Sequence, residues 1–534
     1  MDATRLTDEL SSHSQLELFH VAEAAAAGYK SIICDRPNGE AAGQPSFAAI
    51  AAEAKKHGLQ ARYVPVVPGK VTHADVAAFR EAFDELPKPI LGYCASGKRT
   101  TTLAKAAGLI GVSTSTHDVR NNVVSLAHGI VIVGGGAGGI AVAASLLARA
   151  TDLDIAIIEP DDVHYYQPGW TMVGAGIFTP EETRRSMTSV MPSGVTWIKV
   201  AVATFDPDGR SVTLEDGRTI TYEKLVVAPG LKLDWDAIEG LSETLGQNGV
   251  TSNYRYDLAP YTWKLVEALK GGSALFTQPP MPIKCAGAPQ KAMYLSCDTW
   301  RSEGVLKAID VEFLNAGPVL FGVADYVPPL MEYVKAYGIG LSFGCNLIRV
   351  DGAAKTAWFK KTSSDGSSEI VERKFDMLHV VPPQKAPDFV RSSPLAGDTG
   401  WIDVDQATLR HKRYPDIYSL GDVMSAPNAK TAAAARKQAP VVAENILLDM
   451  GRTKKGADFT YDGYGSCPLT VERGKVVLAE FAYGGRRVPS FPKWLIDDLK
   501  PSRLAWQLKA KALPALYWQA MLKGRELLAK PHRS

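Results

Sequence analysis

A chain of 534 residues is too long for one hydrophobic core, so two or three domains are expected. Its 46% hydrophobic and 22% charged residues exclude a disordered or low-complexity protein. The formal net charge of +2 is unevenly placed: from Arg486 onward eleven Lys and Arg stand against three acids, so the basic charge belongs to the C-terminal tail, and no nucleic-acid partner is expected.

The start MDATRLTDEL lacks a basic segment followed by an apolar core, so no secretory leader is expected, and no apolar stretch approaches the length that crosses a bilayer. Residues 1–115 alternate strand patterns at 31–34, 60–67 and 90–93 with helical ones at 47–57 and 73–83, which predicts a small α/β domain. After the last strand, Cys94-Ala-Ser-Gly-Lys-Arg99-Thr100 opens a helix at 101–109. Such a loop aims backbone N–H groups and the Arg99 guanidinium at an anion held over a nucleophilic thiolate. Its Cys-x4-Arg spacing suits a persulfide or thiosulfate better than a phosphoryl group. The polar stretch 112–122 reads as a linker, with the connection set at 116–127.

A new domain starts at 128. The apolar run 130–133 leads into Gly134-Gly-Gly136-Ala-Gly-Gly139, a helix at 140–150 and a second strand at 154–158 that delivers Glu159 to its tip. Spaced glycines after a strand let the backbone turn tightly against a pyrophosphate at a helix N-terminus, while the acid takes a ribose hydroxyl, so a flavin dinucleotide is expected. The theme returns at 224–230, ending in Gly230, and at 417–422, ending in Gly421-Asp422, before the helix that begins at Lys430. The FAD domain is thus split into 128–240 and 381–465, with an insert at 241–380 of nicotinamide-binding type and a C-terminal segment at 466–534. The insert has no intact glycine loop: at the candidate position, 311–318, a single glycine precedes a proline. NAD(P)H is therefore a poor electron donor.

The six cysteines, at 34, 94, 285, 297, 345 and 467, are scattered and none has zinc or iron–sulfur spacing, so no metal is expected. No cysteine lies between Cys94 and Cys285, which disfavours disulfide reductases carrying a Cys-x4-Cys helix after the fingerprint. Cys285, in PIKCAGAPQ, and Cys467, in GYGSCPL, read as loop thiols, and a neighbouring lysine such as Lys284 can hold a thiolate at neutral pH. Cys34, Cys297 and Cys345 fall in apolar patterns and are expected to be packing residues.

From 128 to about 525 the chain resembles the sulfide:quinone oxidoreductases, in the group that includes the mitochondrial enzymes. The carrying residues are GGGAGG at 134, YQPGW at 166–170, PIKCAGAPQK at 282–291, Gly421-Asp422 and YGSCPL at 464–469. The resemblance implies an α/β fold of two tandem dinucleotide-binding domains with FAD, held by Gly134, Gly136, Gly139, Glu159, Gln167, Gly230, Gly421, Asp422 and Lys430. It further implies a Cys285/Cys467 redox centre in which hydrosulfide leaves a persulfide on Cys467 and a thiolate on Cys285. Electrons then go to a ubiquinone-type quinone and the sulfur to a small thiol or sulfite. In the tail, apolar residues from Trp494 to Leu522 interleave with Lys and Arg, and predict either short helices lying on an anionic membrane surface or helices packed on the protein's own core. The resemblance favours the membrane and a peripheral place on the cytoplasmic side of the inner membrane; a homo-oligomer is left open.

Residues 5–110, with DRPNGE at 35–40 and YCASGKRT at 93–100, resemble the beta-lactamase-hydrolase-like family, whose fold is that of dual-specificity phosphatases. Tyr93 stands where many relatives have His. Cys94 is expected to receive sulfane sulfur, with Arg99 stabilising its charge. The competing readings are a type II NADH:quinone reductase, and a phosphatase whose flavoprotein half senses redox state.

Overall fold

The computed structural model describes residues 3–40, 44–66, 72–95, 97–107, 109, 125–427, 430–454 and 456–533. The expected linker at 112–122 and Ser96 of the Cys94 loop lie outside the described residues. The chain folds as two units, 1–121 and 122–534.

In the first unit, strands Leu10–His13, Ile90–Tyr93, Ser31–Cys34 and Gln60–Tyr63 lie side by side in that order, all parallel, with Thr4–Arg5 antiparallel at the edge. The inner strands are four-residue runs buried on both faces, as parallel sheets covered by helices require. Helix Phe47–Lys56 starts where Ser46 accepts the Ala49 N–H, and His73–Glu85 starts at a Thr72/Asp75 capping box. Helix Lys98–Ala106 begins after Gly97, whose positive φ of 80° turns the chain out of the last parallel strand.

The second unit holds a mixed sheet, whose parallel strands continue into antiparallel ones at one edge, and a parallel sheet. In the first, Val195–Ile198, Ile155–Ile158, Ser125–Val133 and Thr219–Val227 run in order. The C-terminal half of Thr219–Val227 also pairs in parallel with Ile417–Ser419, closing the domain across the insert. Helix Ala137–Leu147 is apolar almost all round and packs against Ala432–Asp449, so small residues replace an amphipathic stripe there. In the second sheet, Val250–Thr251, Met377–His379, Gly272–Gln278, Ile309–Asn315 and Gly340–Phe343 are all parallel. Gly272–Gln278 is flanked by Ile309–Asn315 on one side and Met377–His379 on the other, so it is the first strand of this domain's nucleotide-type half. The antiparallel hairpin Gly465–Glu472/Lys475–Phe481 packs onto helix Ala288–Ser302.

The tail's apolar residues divide between the core and the surface. Arg503–Gln507, the π-helical turn Leu508–Ala512 and Leu513–Gln519 run on from one another, and Tyr517, Trp518, Met521 and Leu522 are buried in the flavin-domain core. For these four the alternative of packing on the protein's own core is the one observed. Trp494, 84% exposed, Leu495 and Leu504 remain outside. No helix among the described residues is long and apolar enough to cross a membrane.

Polar contacts at Glu526 and Tyr517 help fasten the tail. Glu526 takes a two-pronged salt bridge from Arg149 at 2.6 and 2.8 Å, with Glu444 as that arginine's second carboxylate partner. His164 donates from Nδ1 to the Gly135 carbonyl at 3.1 Å and accepts the Tyr517 hydroxyl at Nε2 at 2.6 Å; burial drives its pKa down to about 4, so it is neutral. Glu526→Ala leaves the half-buried Arg149 with one carboxylate and is expected to cost about 1–3 kcal/mol. Chemical denaturation of the two proteins side by side checks this.

Candidate active site

The first-sheet loop after Ser125–Val133 turns at Gly134, whose φ is 100°. A Cβ on Gly139 would lie 1.8 Å from the Gly134 carbonyl oxygen, and one on Gly135 would lie 2.7 Å from the Glu159 side chain. Only hydrogen fits at either position. At Gly136 a Cβ would meet nothing within 4 Å, because that residue faces a cavity of about 440 Å³. Glu159 accepts the Gly135 N–H at 2.7 Å and the Asp161 N–H at 2.9 Å, and burial raises its pKa. The acid therefore ties the glycine turn to the second strand as well as lining the cavity.

Gln167, Gly230, Gly421, Asp422 and Lys430 line the same cavity, and Gly134 and Gly139 shape it from behind. The Lys430 ammonium bonds the Asp422 and Met424 carbonyls at 2.6 and 3.1 Å and lies 3.5 Å over the Trp401 ring, and burial brings its pKa down to about 8. It thus holds the Gly421–Asp422 turn in place, and its own carbonyl accepts the Cys285 N–H at 2.9 Å. Gln167 accepts the Lys284 ammonium at 2.6 Å. A glycine cradle over open space, a helix N-terminus and a second glycine turn on the far wall fit FAD.

The loop between Gly272–Gln278 and helix Ala288–Ser302 occupies the place where a nucleotide domain carries its glycine cradle. Here it reads Pro279-Pro-Met-Pro-Ile-Lys-Cys285-Ala-Gly287. Three prolines remove three N–H donors from a site that binds pyrophosphate through N–H groups. The segment 311–318, expected to be the vacant cradle, is the second strand and its exit; the first-strand loop is the proline-rich one.

That loop presents Cys285 at φ 49°, a left-handed conformation that bulky residues rarely take. It is fixed on three sides: the Lys430 carbonyl takes its N–H, its own carbonyl accepts the Ala288 N–H at 2.7 Å, and the Tyr254 hydroxyl donates to it at 3.3 Å. Cys467 lies on strand Gly465–Glu472, not in the loop its Gly/Pro neighbours suggest. The two Sγ atoms are 3.8 Å apart across 182 positions of sequence. A Cβ on Gly287 would sit 2.3 Å from the Cys467 Sγ, so this glycine makes room for the second sulfur.

The Lys291 ammonium, on the first turn of Ala288–Ser302, stands 3.1 Å from Cys285 and 3.8 Å from Cys467. The Cys467 thiol's hydrogen bond and the Lys291 charge hold Cys285 well below the usual thiol range. The shared proton and burial push Cys467 well above it. Lys509, from the tail, is buried beside the pair with its ammonium on the Pro168 carbonyl at 3.0 Å; burial and the facing Lys291 bring it down to about 7. Cys297 and Cys345 are buried packing residues. Gly287 and Lys291 stand inside PIKCAGAPQK without being singled out by it, Lys509 and Tyr254 carry no motif, and the roles of all four come from the tertiary arrangement.

In the N-terminal unit, Cys94 accepts the Arg99 N–H at 3.4 Å. The Arg99 guanidinium bonds the Val66 and Asp35 carbonyls and the Glu40 carboxylate. It is therefore not free above the thiol, as the motif alone suggests.

Paired thiols on a two-sheet dinucleotide scaffold place the molecule among the flavoprotein oxidoreductases, and residues 128–266 match the family described as pyridine nucleotide-disulphide oxidoreductase. Residues 2–108 match the beta-lactamase hydrolase-like protein, phosphatase-like domain. The mitochondrial sulfide:quinone oxidoreductase of Dictyostelium discoideum is 42% identical over 401 residues, covering 74% of this chain and 86% of that protein. Its counterpart in Mus musculus is 39% identical over 395 residues, with the same two shares. The solved sulfide:quinone oxidoreductase of Aquifex aeolicus shares the fold, with a TM-score of 0.62 at 19% identity over 75% of this chain and 92% of that one. This chain belongs to the sulfide:quinone oxidoreductase family.

Gly287→Ala is expected to drive the two sulfurs apart. Thiol titration before and after mild oxidation checks it: the natural chain should lose the Cys285 and Cys467 thiols together, and the variant should keep both.

Proposed function

We propose that this chain oxidises sulfide at Cys285 and Cys467 and delivers the electrons to a membrane quinone. The approach of two thiols to 3.8 Å beside one ammonium, at the wall of a flavin-shaped cavity, carries this reading. In the oxidised pair, hydrosulfide attacks Cys467 Sγ, forming a Cys467 persulfide and breaking the bond to Cys285, which departs as a thiolate. Lys291 stabilises that thiolate, so the bond breaks in the direction that leaves charge on Cys285. A thiol or sulfite then attacks the outer sulfur, carries it off as its own sulfane sulfur and frees the Cys467 thiolate. Bound FAD, held by the Gly134–Gly139 loop, Glu159 and the Gly421–Asp422 turn, supplies the two-electron relay by which the dithiol returns to the disulfide and quinone becomes quinol.

The proline-filled Cys285 loop favours this over the NADH reductase reading, since it offers no cradle for a second pyrophosphate. The exposed Trp494, Leu495 and Leu504, set among Lys493, Lys500 and Arg503, are the surface by which the protein docks on an anionic membrane. In the N-terminal unit Cys94 accepts sulfane sulfur released by the flavin unit.

Sulfide-dependent reduction of decyl-ubiquinone tests the reading, with NADH as the competing donor. Sulfide should support turnover and NADH should not; the reverse would overturn it. Lys291→Met removes the charge that favours the Cys285 thiolate, so its pKa rises and the alkaline-going limb of the rate profile should move to higher pH by about one unit or more. An unmoved limb would rule out Lys291 as the stabilising cation.

A further inference from the structure

In the N-terminal unit two guanidiniums converge on one carboxylate oxygen. Arg36 Nε and Arg99 Nη2 each lie 2.6 Å from Glu40 Oε2, with the arginine side chains 10% and 12% exposed and Glu40 21%. Each guanidinium is also anchored independently of Glu40. Arg99 Nη1 bonds the Val66 and Asp35 carbonyls at 2.9 and 3.3 Å, and Arg36 Nη1 bonds the Gln15 side chain at 2.7 Å. Burial favours the neutral form of Asp35, leaving Glu40 to face two cations.

Glu40 is held differently. Asn38 is pinned from both sides, its N–H to the Tyr63 hydroxyl at 2.8 Å and its Oδ1 to the Phe47 N–H at 2.7 Å. Gly39, at φ 77°, then turns the chain so that Glu40 comes back to the arginines. Among the described residues its side-chain hydrogen bonds are to these two guanidiniums. The arrangement is a preformed anion site filled by the chain's own carboxylate, on the loop where the Arg99 N–H meets the Cys94 sulfur.

We infer that Arg36 and Arg99 form a binding site for a small oxyanion of sulfur, sulfite or thiosulfate, and that Glu40 is its internal competitor. The choice of sulfur over phosphorus rests on the sulfur-transfer reading of Cys94; the anion site itself does not. A ligand must displace Glu40, so its apparent affinity is lowered by the fraction of time the carboxylate is seated.

The test uses the full chain with sodium sulfate as an unreactive stand-in, sodium phosphate in parallel, and ionic strength held constant with sodium chloride. Protection of Cys94 from iodoacetamide is read on its peptide by mass spectrometry. Glu40→Gln and Glu40→Ala should each lower the half-protecting sulfate concentration about tenfold or more, and Arg36→Met should raise it by a similar factor. Glu40→Gln keeps the side chain's size and an acceptor oxygen, so it guards against a collapsed loop; matched thermal unfolding of all four proteins completes the control. Unchanged or weaker protection in both Glu40 variants would overturn the inference, and protection by phosphate alone would overturn its sulfur assignment. Separately, if sulfide turnover added no sulfur to the Cys94 peptide while sulfate protection behaved as expected, the transfer reading would fall and the anion site would stand.

Discussion

Everything distinctive in the larger unit depends on two sulfur atoms being forced together at the edge of a dinucleotide cavity. Neither strand nor loop would do this unaided. Cys285 must take a left-handed backbone, which costs on the order of 1–3 kcal/mol and persists only because three hydrogen bonds over-determine it. Cys467 must enter space that any side chain at position 287 would fill. Lys291 then breaks the symmetry of the pair. A buried ammonium needs a counter-charge, and the nearer sulfur provides it, so the negative charge of the pair settles on Cys285 and the proton on Cys467.

The same loop accounts for the choice of electron donor. A tandem dinucleotide fold has two first-strand loops. In this molecule one retains glycines and faces the cavity, while the other is rigid with proline and carries Cys285. The insert has kept its parallel sheet as a scaffold and given up the backbone donors that bind a second nucleotide. The C-terminal tail closes the arrangement: Tyr517 reaches through His164 to the glycine loop, and Lys509 reaches the thiol pair. A segment whose outer residues include Trp494 and Leu504 thus touches both cofactor loop and redox centre, which suits an enzyme whose electron acceptor is lipid-soluble.

Much of this was legible in the sequence where a residue's chemistry is local. Gly134, Gly136, Gly139 and Glu159 could be placed because tight turns and close approach demand them at fixed spacing. Cys285 and Cys467 stood out through the motifs around them, but their separation of 3.8 Å is a tertiary fact. Cys467 read as a loop residue because Gly, Ser and Pro surround it, yet hairpin pairing overrides that composition. The vacant nucleotide loop was sought one strand late, since the true loop is disguised by its prolines. Lys509 was one of eleven basic residues in the tail with nothing to single it out, and the periodicity that suggested a membrane face for Tyr517 and Trp518 could not say what that face would meet. In the N-terminal loop the Cys-x4-Arg spacing identified Arg99 but not the carboxylate that occupies it.

On the proposed reading, sulfide sulfur passes onto Cys467 while Cys285 leaves as the thiolate. Non-reducing peptide mass spectrometry after anaerobic addition of one equivalent of sulfide to the oxidised protein addresses it directly. Before addition the Cys285 and Cys467 peptides should be joined by a disulfide; afterwards the Cys467 peptide should carry the mass of one extra sulfur and the Cys285 peptide should be a free thiol. Peptides that are never joined, or an added sulfur found on Cys285 instead, would overturn that order of events.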